Sequence, residues 1–497
     1  MVNRRGFLRN FGLAGAAITT PAALVFGATK PGAGKKDLAT LTIRGNVNNN
    51  GRPLTDVMVT DGINVVATDK QGNYELFSNN TAEFVYISVP AGYTIPHEKG
   101  IAKFYVPITQ KGSFKADFNL EKLKVDDKKH NFVVWADPQM ISEKDATLLK
   151  TQSAPDLRDL VKSYPADTLF HGIGCGDLVW DHFDLYEDYK QAVEMTDIPF
   201  VNVIGNHDMD IDARTDDFSA QTFKKHFGPT YYSYNRGSVH YVVLDDVFFI
   251  GAAKKYIGYL TETQLQWLEQ DLVNIKPGST IVVSLHIPTN TGNARRNNLK
   301  EEELGGTLSN RQQLYKILKP YKVHLMSGHT HMNEKWEQDN MIEHVHGTVC
   351  GAWWTGPICS EGTPNGYAVY EVNGNDIKWY YKSTGKPKEH QLRIYQKGRQ
   401  KEFADEVAVN IWNWDLAWKL EWYEDGALKG AMTQRISLDP WAMELYEGAD
   451  LPKKHKFVDP SLTDHLFYAK PSAGAKEIMV KATDRFGSVF IEKMLLV

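Results

Sequence analysis

Five short polar clusters in the middle of the chain contain the side-chain types that hold divalent metal ions. Each cluster directly follows an apolar stretch of strand character. The clusters are Asp137-Pro138-Gln139, Gly176-Asp177, Gly205-Asn206-His207-Asp208, His286 and Gly328-His329-Thr330-His331. In open α/β sheets, sites form outside the carboxyl ends of the strands. Five strand ends of one α/β domain can therefore direct these side chains into a common crevice.

The ligand types suit two hard or borderline divalent metals held by carboxylate, amide and imidazole groups. A carboxylate has two oxygens and can bridge two ions, and Asp177 is the candidate for that role. Glycines beside the ligands (Gly176, Gly205 and Gly328) allow sharp turns and close backbone approach. Two metals about 3.5–4 Å apart can clamp a phosphoryl group and lower the pKa of a bridging water. The nucleophile is then hydroxide, and no nucleophilic Ser or Cys is required.

Each cluster taken alone has an ordinary structural explanation. An isolated histidine at a strand end, such as His286, is more often structural, and Asn-His-Asp also suits a turn or a helix cap. Gly-His-Thr-His is more specific, because it places two imidazoles on one turn. The occurrence of all five clusters in this order, each behind a strand, favours a metal centre over a coincidence of turn and core residues.

The set of clusters resembles the calcineurin-like metallophosphoesterase superfamily. The pattern of that superfamily is Asp-x-His, Gly-Asp, Gly-Asn-His-(Asp/Glu), a lone His and Gly-His-x-His. The resemblance covers about half of the 497 residues. It implies a phosphoester hydrolase with two divalent metal ions (Mn, Zn, Fe or Mg) and a small phosphorylated substrate.

Carried over position by position, the resemblance implies a role for each residue of the clusters. The first metal would be bound by Asp137, Gln139, Asp177 and His331. The second metal would be bound by Asp177, Asn206, His286 and His329. His207 matches the general acid that protonates the leaving oxygen, and Asp208 matches the residue that orients and charges this histidine.

The sequence departs from the family pattern at two positions. Gln139 stands where the family usually has His, and its neutral amide is a weaker ligand, so the first metal is expected to be more loosely bound or to be Mn or Mg. Trp180 stands where purple acid phosphatases carry a metal-bound tyrosine, so no ferric-tyrosinate chromophore is expected. Asp181, one residue further on, lies in what the sequence suggests is a solvated loop, although it is close enough in sequence to touch substrate.

The overall charge of the chain argues against a nucleic-acid partner. The sequence has 56 basic and 61 acidic residues and a formal net charge of -5. Binding to nucleic acid would require a basic patch. A length of 497 residues suggests roughly three domains.

The N-terminus has the pattern of an export signal. Arg4-Arg5 precede a weakly apolar run, 11–26, rich in Ala and Gly, which is typical of a twin-arginine signal covering residues 1–28. The alternative is a disordered basic tail. The run is too short to span a membrane. An exported, periplasmic or secreted protein with no transmembrane anchor after signal removal is therefore expected. In an oxidising compartment Cys350 and Cys359 can pair, but small buried thiols explain them equally well.

The regions on either side of the five clusters have strand patterns. Residues 37–122 alternate short strand-like runs with Asn/Gly turns and resemble small transthyretin-like β-sandwiches. Residues 390–497 are rich in aromatic residues, with Trp418, Leu420 and Trp422 on one face of a strand and a hairpin signal at Asp425-Gly426. A second β-sandwich is expected there. A purely structural role is the favoured interpretation for both flanking domains.

Between them, residues 128–385 alternate apolar strands with helical segments, which predicts the layered α/β design. Thr261 and Gln264 have the spacing of a capping box, as do Ser309 and Gln312. The predicted fold is thus multidomain: a central α/β metallophosphoesterase sandwich of two sheets flanked by helices, between two β-sandwiches.

The leading functional reading is a metal-dependent phosphoester hydrolase acting on a phosphodiester or a small phosphomonoester. The alternative is a catalytically weak binding module with a degenerate metal site, which only Gln139 favours. Trp353 and Trp354, which follow the last metal motif, are candidates for a substrate wall, although ordinary core packing is favoured.

Overall fold

The computed structural model describes residues 40–251, 255–350, 356–447 and 458–497. The predicted export signal and the pair Trp353-Trp354 lie outside the described residues. Within these ranges, no helix is both long and apolar enough to cross a membrane. Residues 39–497 form one compact unit. The three cysteines are buried, and the structure forms no disulfide between them.

The N-terminal domain is a β-sandwich. Its strands are β1 (Thr40–Asn49), β2 (Arg52–Pro53), β3 (Met58–Thr60), β4 (Val65–Ala67), β5 (Asn73–Asn79), β6 (Phe84–Ile87), β7 (His97–Glu98), β8 (Ile101–Ala102), β9 (Tyr105–Pro107), β10 (Ser113–Lys115) and β11 (Phe118–Asn119). In one sheet β1 pairs with β2, β5, β10 and β11, and the other sheet has the order β4-β3-β6-β9. Asn50 and Gly51, both at positive φ, form the tight turn that joins β1 to β2.

The central domain alternates strands and helices as the sequence predicts. Its first half contains β12 (Lys129–Trp135), α1 (Glu143–Leu148), α2 (Ala154–Ser163), β13 (Leu169–Cys175), α3 (Tyr186–Glu194), β14 (Phe200–Val203), α4 (Gln221–Phe227), β15 (Tyr232–Arg236), β16 (Val239–Val243), β17 (Val247–Phe249) and β18 (Tyr256–Gly258). Its second half contains α5 (Glu262–Asp271), β19 (Thr280–Ser284), α6 (Asn293–Arg296), α7 (Arg311–Leu318), β20 (Lys322–Ser327), β21 (Glu334–Gln338), β22 (Met341–Val345), β23 (Gly366–Asn373) and β24 (Asp376–Ser383).

Two sheets make up the layers of this domain. The first has the strand order β24-β23-β12-β13-β14-β8-β7, and the second has the order β15-β16-β19-β20-β22-β21. The strands β12, β13 and β14 run parallel, as do β16, β19, β20 and β22. Phe132 and Ile173 from the first sheet share an apolar core with Val282 and Met326 from the second. The fold is therefore the predicted two-sheet sandwich, with helices on its outer faces.

The boundary between the first two domains is less linear than the sequence suggests. Strands β7 and β8 lie within the range assigned to the N-terminal domain, yet they extend the first sheet of the central domain, where Ile101 is the parallel partner of Phe200. Gly100, at positive φ, lies so close to Val193 that a Cβ there would overlap its side chain. A pairing between segments so distant in sequence leaves no local signal, which is why the strand pattern did not reveal it.

The two capping-box predictions have different outcomes. Thr261 caps α5 by accepting a hydrogen bond from the Gln264 amide at 3.4 Å. The prediction for α7 is wrong, because this helix begins one residue later than expected and is preceded by Asn310. The Asn310 side chain instead binds both backbone groups of Leu260, which ties the start of α7 to the loop before α5.

The C-terminal domain is the second β-sandwich. Its elements are β25 (Leu392–Tyr395), β26 (Val407–Ile411), β27 (Lys419–Glu424), β28 (Ala427–Ala431), β29 (Thr433–Leu438), α8 (Pro440–Tyr446), β30 (Leu462–Ala469), β31 (Glu477–Thr483) and β32 (Val489–Leu495). The sheets have the orders β25-β26-β30-β29 and β28-β27-β31-β32. Trp418, Leu420 and Trp422 are buried together between the sheets. Asp425 and Gly426 form the predicted hairpin turn, both at positive φ.

Candidate metal centre

The five polar clusters all lie just beyond the carboxyl ends of strands in the two sheets. Asp137 follows β12 by two residues, Asp177 follows β13 by two and Asn206 follows β14 by three. His286 and His329 each come two residues after a strand of the other sheet, β19 and β20. Because these strands run parallel within each sheet, their carboxyl ends bring the clusters to one edge of the sandwich.

The clusters form two groups of ligand atoms that share one carboxylate. The ligand atoms of Asp177, His286 and His329 lie within 4.8 Å of one another. The same is true of the ligand atoms of Asp137, Asp177 and His331. Asp177 belongs to both groups, which is the position required of a carboxylate that bridges two ions.

Asp177 is held in place by its neighbours and is 1% exposed. Its Oδ1 accepts a hydrogen bond of 2.8 Å from the His207 amide and lies 3.3 Å from the His286 Nε2. Burial acts to raise the pKa of this carboxyl, but His286 and His207 hold the pKa below its usual range. Asp177 is therefore ionised and available to cations.

Gln139 offers an oxygen that the described residues leave without a partner. Its amide nitrogen donates to the Asp177 Oδ2 at 3.1 Å, which fixes the orientation of the amide group. The Gln139 Oε1 is buried and accepts no hydrogen bond from the part of the chain that the structure describes. Leaving a buried acceptor unsatisfied costs about 1–3 kcal/mol. A cation at this position would remove that cost, so the residues present fit a metal ion here, with Gln139 as a neutral oxygen ligand.

His286 has the arrangement of a metal-ligating histidine. Its Nδ1 lies 3.0 Å from the Cys175 carbonyl oxygen and donates to it, so Nε2 is the ring nitrogen that faces the other predicted ligands. Nε2 lies 3.1 Å from the Asn206 Oδ1, which places two of the four predicted ligands of the second metal side by side. Burial acts to lower the pKa of His286, but Asp177 and Asp137 raise it to about 10. The acidic surroundings thus attract positive charge.

An aspartate that the sequence analysis did not single out supports His286 from behind. The Asp246 Oδ1 accepts hydrogen bonds from the amides of His286 and Ile287, at 3.0 and 3.2 Å. Burial raises the pKa of Asp246 to about 7. Asp246 also follows an apolar strand, β16, so the strand-end rule that found the other clusters would have found this residue too.

The backbone around the ligands is held in a conformation that costs free energy. Asp137, Gln139, Asp177, His329 and His331 all have positive φ, between 40° and 68°. Non-glycine residues adopt this region only when the surroundings impose it, at a cost of about 1–3 kcal/mol each. Five such residues in one cluster indicate that the loops are shaped for a site rather than for stability.

The glycines beside the ligands are required for space. A Cβ at Gly205 would overlap the Asp177 backbone, and a Cβ at Gly328 would overlap the Asp137 carboxylate. A Cβ at Gly176 would overlap the His286 ring. The close approach expected from the sequence is therefore present at all three glycines.

The structure changes the predicted partner of His207. The His207 Nδ1 lies 3.0 Å from the Asp181 Oδ1, and both side chains are mostly buried. Burial acts to lower the pKa of His207, but Asp177 and Asp181 raise it above its usual value. Asp181, which the sequence placed in a solvated loop, is thus the residue that orients the histidine.

Asp208 does a different task from the orienting role predicted for it. Its carboxylate is fully buried and accepts hydrogen bonds from the amides of Leu178, Val179 and Gly205, at 2.9–3.3 Å, and from the Tyr186 hydroxyl at 3.1 Å. These hydrogen bonds join the side chain to the loop of Asp177, while the charge of Asp208 still contributes to raising the pKa of His207. The carboxylate therefore ties together two of the ligand-bearing loops.

Three family models match the chain, and together they cover most of it. They describe the N terminal of calcineurin-like phosphoesterase (residues 41–123), calcineurin-like phosphoesterase itself (residues 130–333) and the C terminal of calcineurin-like phosphoesterase (residues 343–490). The chain belongs to the calcineurin-like phosphoesterase family. It is a phosphoesterase with both family-specific flanking domains, and the family generally uses two divalent metal ions.

Solved structures similar to this calcineurin-like phosphoesterase include three enzymes. A dimetal phosphatase from Danio rerio has 12% identity and a TM-score of 0.35, over 51% of this chain and 96% of the other. A purple acid phosphatase from yellow lupin (Lupinus luteus) has 13% identity and a TM-score of 0.39, over 66% of this chain and 67% of the other. A 5'-nucleotidase from Candida albicans has 14% identity and a TM-score of 0.32, over 50% of this chain and 50% of the other. Comparison with curated proteins gives no match.

Proposed function

We propose that this protein hydrolyses a phosphodiester or a small phosphomonoester at a centre of two divalent cations. The observation that carries the proposal is the sharing of Asp177 between two groups of ligand atoms. The first cation would be held by Asp137, Gln139, Asp177 and His331. The second would be held by Asp177, Asn206, His286 and His329. When bound, the cations would withdraw charge from the phosphoryl oxygens and make water more acidic.

His207 is positioned for the proton transfer that such a reaction needs. A leaving alkoxide requires a proton donor, and an imidazole titrates close to neutral pH. Because Nδ1 faces Asp181, Nε2 is the ring nitrogen that serves the leaving oxygen. Asp181 fixes the ring orientation and stabilises its protonated form, and the His207 amide holds the bridging carboxylate.

A binding module with a degenerate metal site is the less supported alternative. Gln139 was the one residue that favoured it. The buried Oε1 of this residue has no hydrogen-bond donor among the described residues, which is what an oxygen ligand requires. Export to the periplasm or beyond stays a proposal that depends on the paired arginines Arg4 and Arg5.

The test is hydrolysis of bis-p-nitrophenyl phosphate and p-nitrophenyl phosphate by metal-stripped protein to which Mn, Zn, Mg or Ni is returned. The variants are Asp177→Asn and His207→Ala. Asp339→Asn and His97→Ala are matched controls, since Asp339 also has positive φ and both residues are exposed turn or edge positions. Metal-dependent turnover that disappears only in the first pair supports the proposal. A folded protein that binds no metal would refute it.

A further inference from the structure

A cavity lies between the central domain and the C-terminal β-sandwich. Its volume is about 490 Å³, which lies within the range of small-molecule sites. Helix α6 and strand β21 form one wall, and strands β29 and β30 with the loop after β26 form the other. None of the predicted metal ligands lines it.

The walls of this cavity are held together by hydrogen bonds and ion pairs between the two domains. The Asn333 side chain donates to the Trp412 carbonyl at 2.6 Å, and Lys335 donates to the Asn413 side chain at 2.6 Å. Arg295 forms an ion pair with Asp464 across the cavity. A cavity with walls fixed in this way is preformed, which lowers the cost of ordering it around a ligand.

The charges that line the cavity balance. Four lining residues are cationic (Arg295, Arg296, Lys335 and Arg435), and four are anionic (Glu334, Glu337, Asp415 and Asp464). Most of them are paired: Arg296 with Glu334, for example, and Asp415 with Arg485 at 2.8 Å. Burial lowers the pKa of His465 to about 3, so this ring is neutral. A strongly charged ligand would therefore gain little net attraction here.

The cavity combines apolar surface with polar atoms that have no partner. Trp336 and Trp414 are partly exposed, and Leu416 and Ile436 are exposed at 82% and 43%. The Trp336 Nε1 donates to Glu334 at 3.1 Å, which fixes the indole. The Arg296 Nε and the His465 Nδ1 are buried and make no hydrogen bond with the described residues. Both atoms belong to residues that line the cavity.

We propose that this cavity binds an uncharged saccharide. The carbon-bound hydrogens of a sugar ring form an apolar face that packs on an indole. Its hydroxyls both donate and accept, so they match a wall of carboxylates and guanidinium groups and the two unpartnered nitrogens. The site is separate from the metal centre, and its occupation requires no metal. The C-terminal domain is then a recognition element as well as a structural one.

Saturation-transfer NMR on the metal-stripped, full-length protein tests this proposal independently of hydrolysis. The probes are glucose, galactose, mannose, N-acetylglucosamine, cellobiose and lactose, with inorganic phosphate as the charged probe. The variants are Trp336→Ala, Trp414→Ala and Ile436→Arg, which fills the mouth without removing core contacts. Trp441→Ala is the control, because this tryptophan packs on Arg393, away from the cavity. Thermal melts establish that each variant is folded.

The expected result is saturable binding of at least one of the sugars. Its affinity should fall about tenfold or more in each folded cavity variant, a loss of about 1.4 kcal/mol, and stay unchanged in Trp441→Ala. Three results would overturn the proposal: no sugar signal with the native chain, an equal signal in all folded variants, or binding of phosphate alone.

Discussion

The metal centre and the interdomain cavity both contain carboxylates, but these carboxylates have different partners. Asp137 and Asp177 face imidazoles and backbone amides. In the cavity, Glu334 and Asp464 face arginines. Carboxylates grouped without lysine or arginine partners in these contacts attract cations, whereas paired carboxylates leave a surface with no net charge. The comparison shows that the partners of acidic residues, more than their number, distinguish a cation site from a site for neutral ligands.

The largest effect is expected when the charge shared by the two ligand groups is removed. Asp177→Asn keeps the size of the side chain and its tolerance of positive φ but removes the bridging negative charge. Hydrolysis of bis-p-nitrophenyl phosphate should fall by about a thousandfold or more, comparable with the loss of a principal electrostatic group. Elemental analysis should show reduced metal content. Unchanged metal content and activity in this variant would show that Asp177 does not bind the metal ions.

The Gly205→Ala substitution should disturb the metal centre by steric overlap. The added Cβ would overlap the Asp177 backbone, so the ligand loops must move apart. Overpacking of this kind costs about 1–3 kcal/mol, and thermal unfolding with and without Mn measures it. Gly306→Ala is the matched control, because the nearest atom to a Cβ at Gly306 is the Glu303 carbonyl oxygen at 3.3 Å, against 2.1 Å to the Asp177 backbone nitrogen at Gly205. If both variants melt alike, the loops are less tightly fixed than their contacts indicate.

Substitution of Asp181 should reduce turnover, whereas substitution of Asp208 should reduce stability. Asp181→Asn should lower turnover about ten- to a hundredfold, because the orientation and charge of His207 are weakened. The loss should be greater for phenyl phosphate than for p-nitrophenyl phosphate, whose leaving group needs less protonation. Rate constants for the two substrates measure this, and equal losses would argue against a role through His207.

Asp208→Asn should act mainly on stability. One of its acceptor oxygens becomes a donor, although the amides of Leu178, Val179 and Gly205 all need acceptors. The free energy of unfolding should decrease by about 1–3 kcal/mol, as measured in urea. A normal melt with a selective loss of turnover would instead restore the catalytic role that the sequence assigned to Asp208.

The smallest effect is expected at Gln139. Gln139→His introduces the residue that the family usually has, and an imidazole is a stronger ligand than an amide. The first metal should then be released several-fold more slowly to a chelator, with little change in the melting temperature. Slower release by Gln139→Leu as well would show that the amide is not a ligand.

Much of the candidate site was predictable because its signals are local. Each ligand lies two to four residues after an apolar strand, and the adjacent glycines mark where the chain must turn closely. The hydrogen bond between Asp181 and His207 was not predictable. Asp181 and Asp208 both lie within a few positions of a ligand, and only the direction of their side chains decides which one reaches the His207 ring.

The sequence by itself determined the layered α/β core, the flanking β-sandwiches and the set of candidate ligands, because periodic burial and turn residues act over short stretches of chain. Only the tertiary structure decided that Asp181 contacts the His207 ring, that β8 joins the central sheet and that two domains enclose a charge-balanced cavity. Those features depend on contacts between residues far apart in sequence. Such contacts form when sheets and domains pack, and no local pattern encodes them.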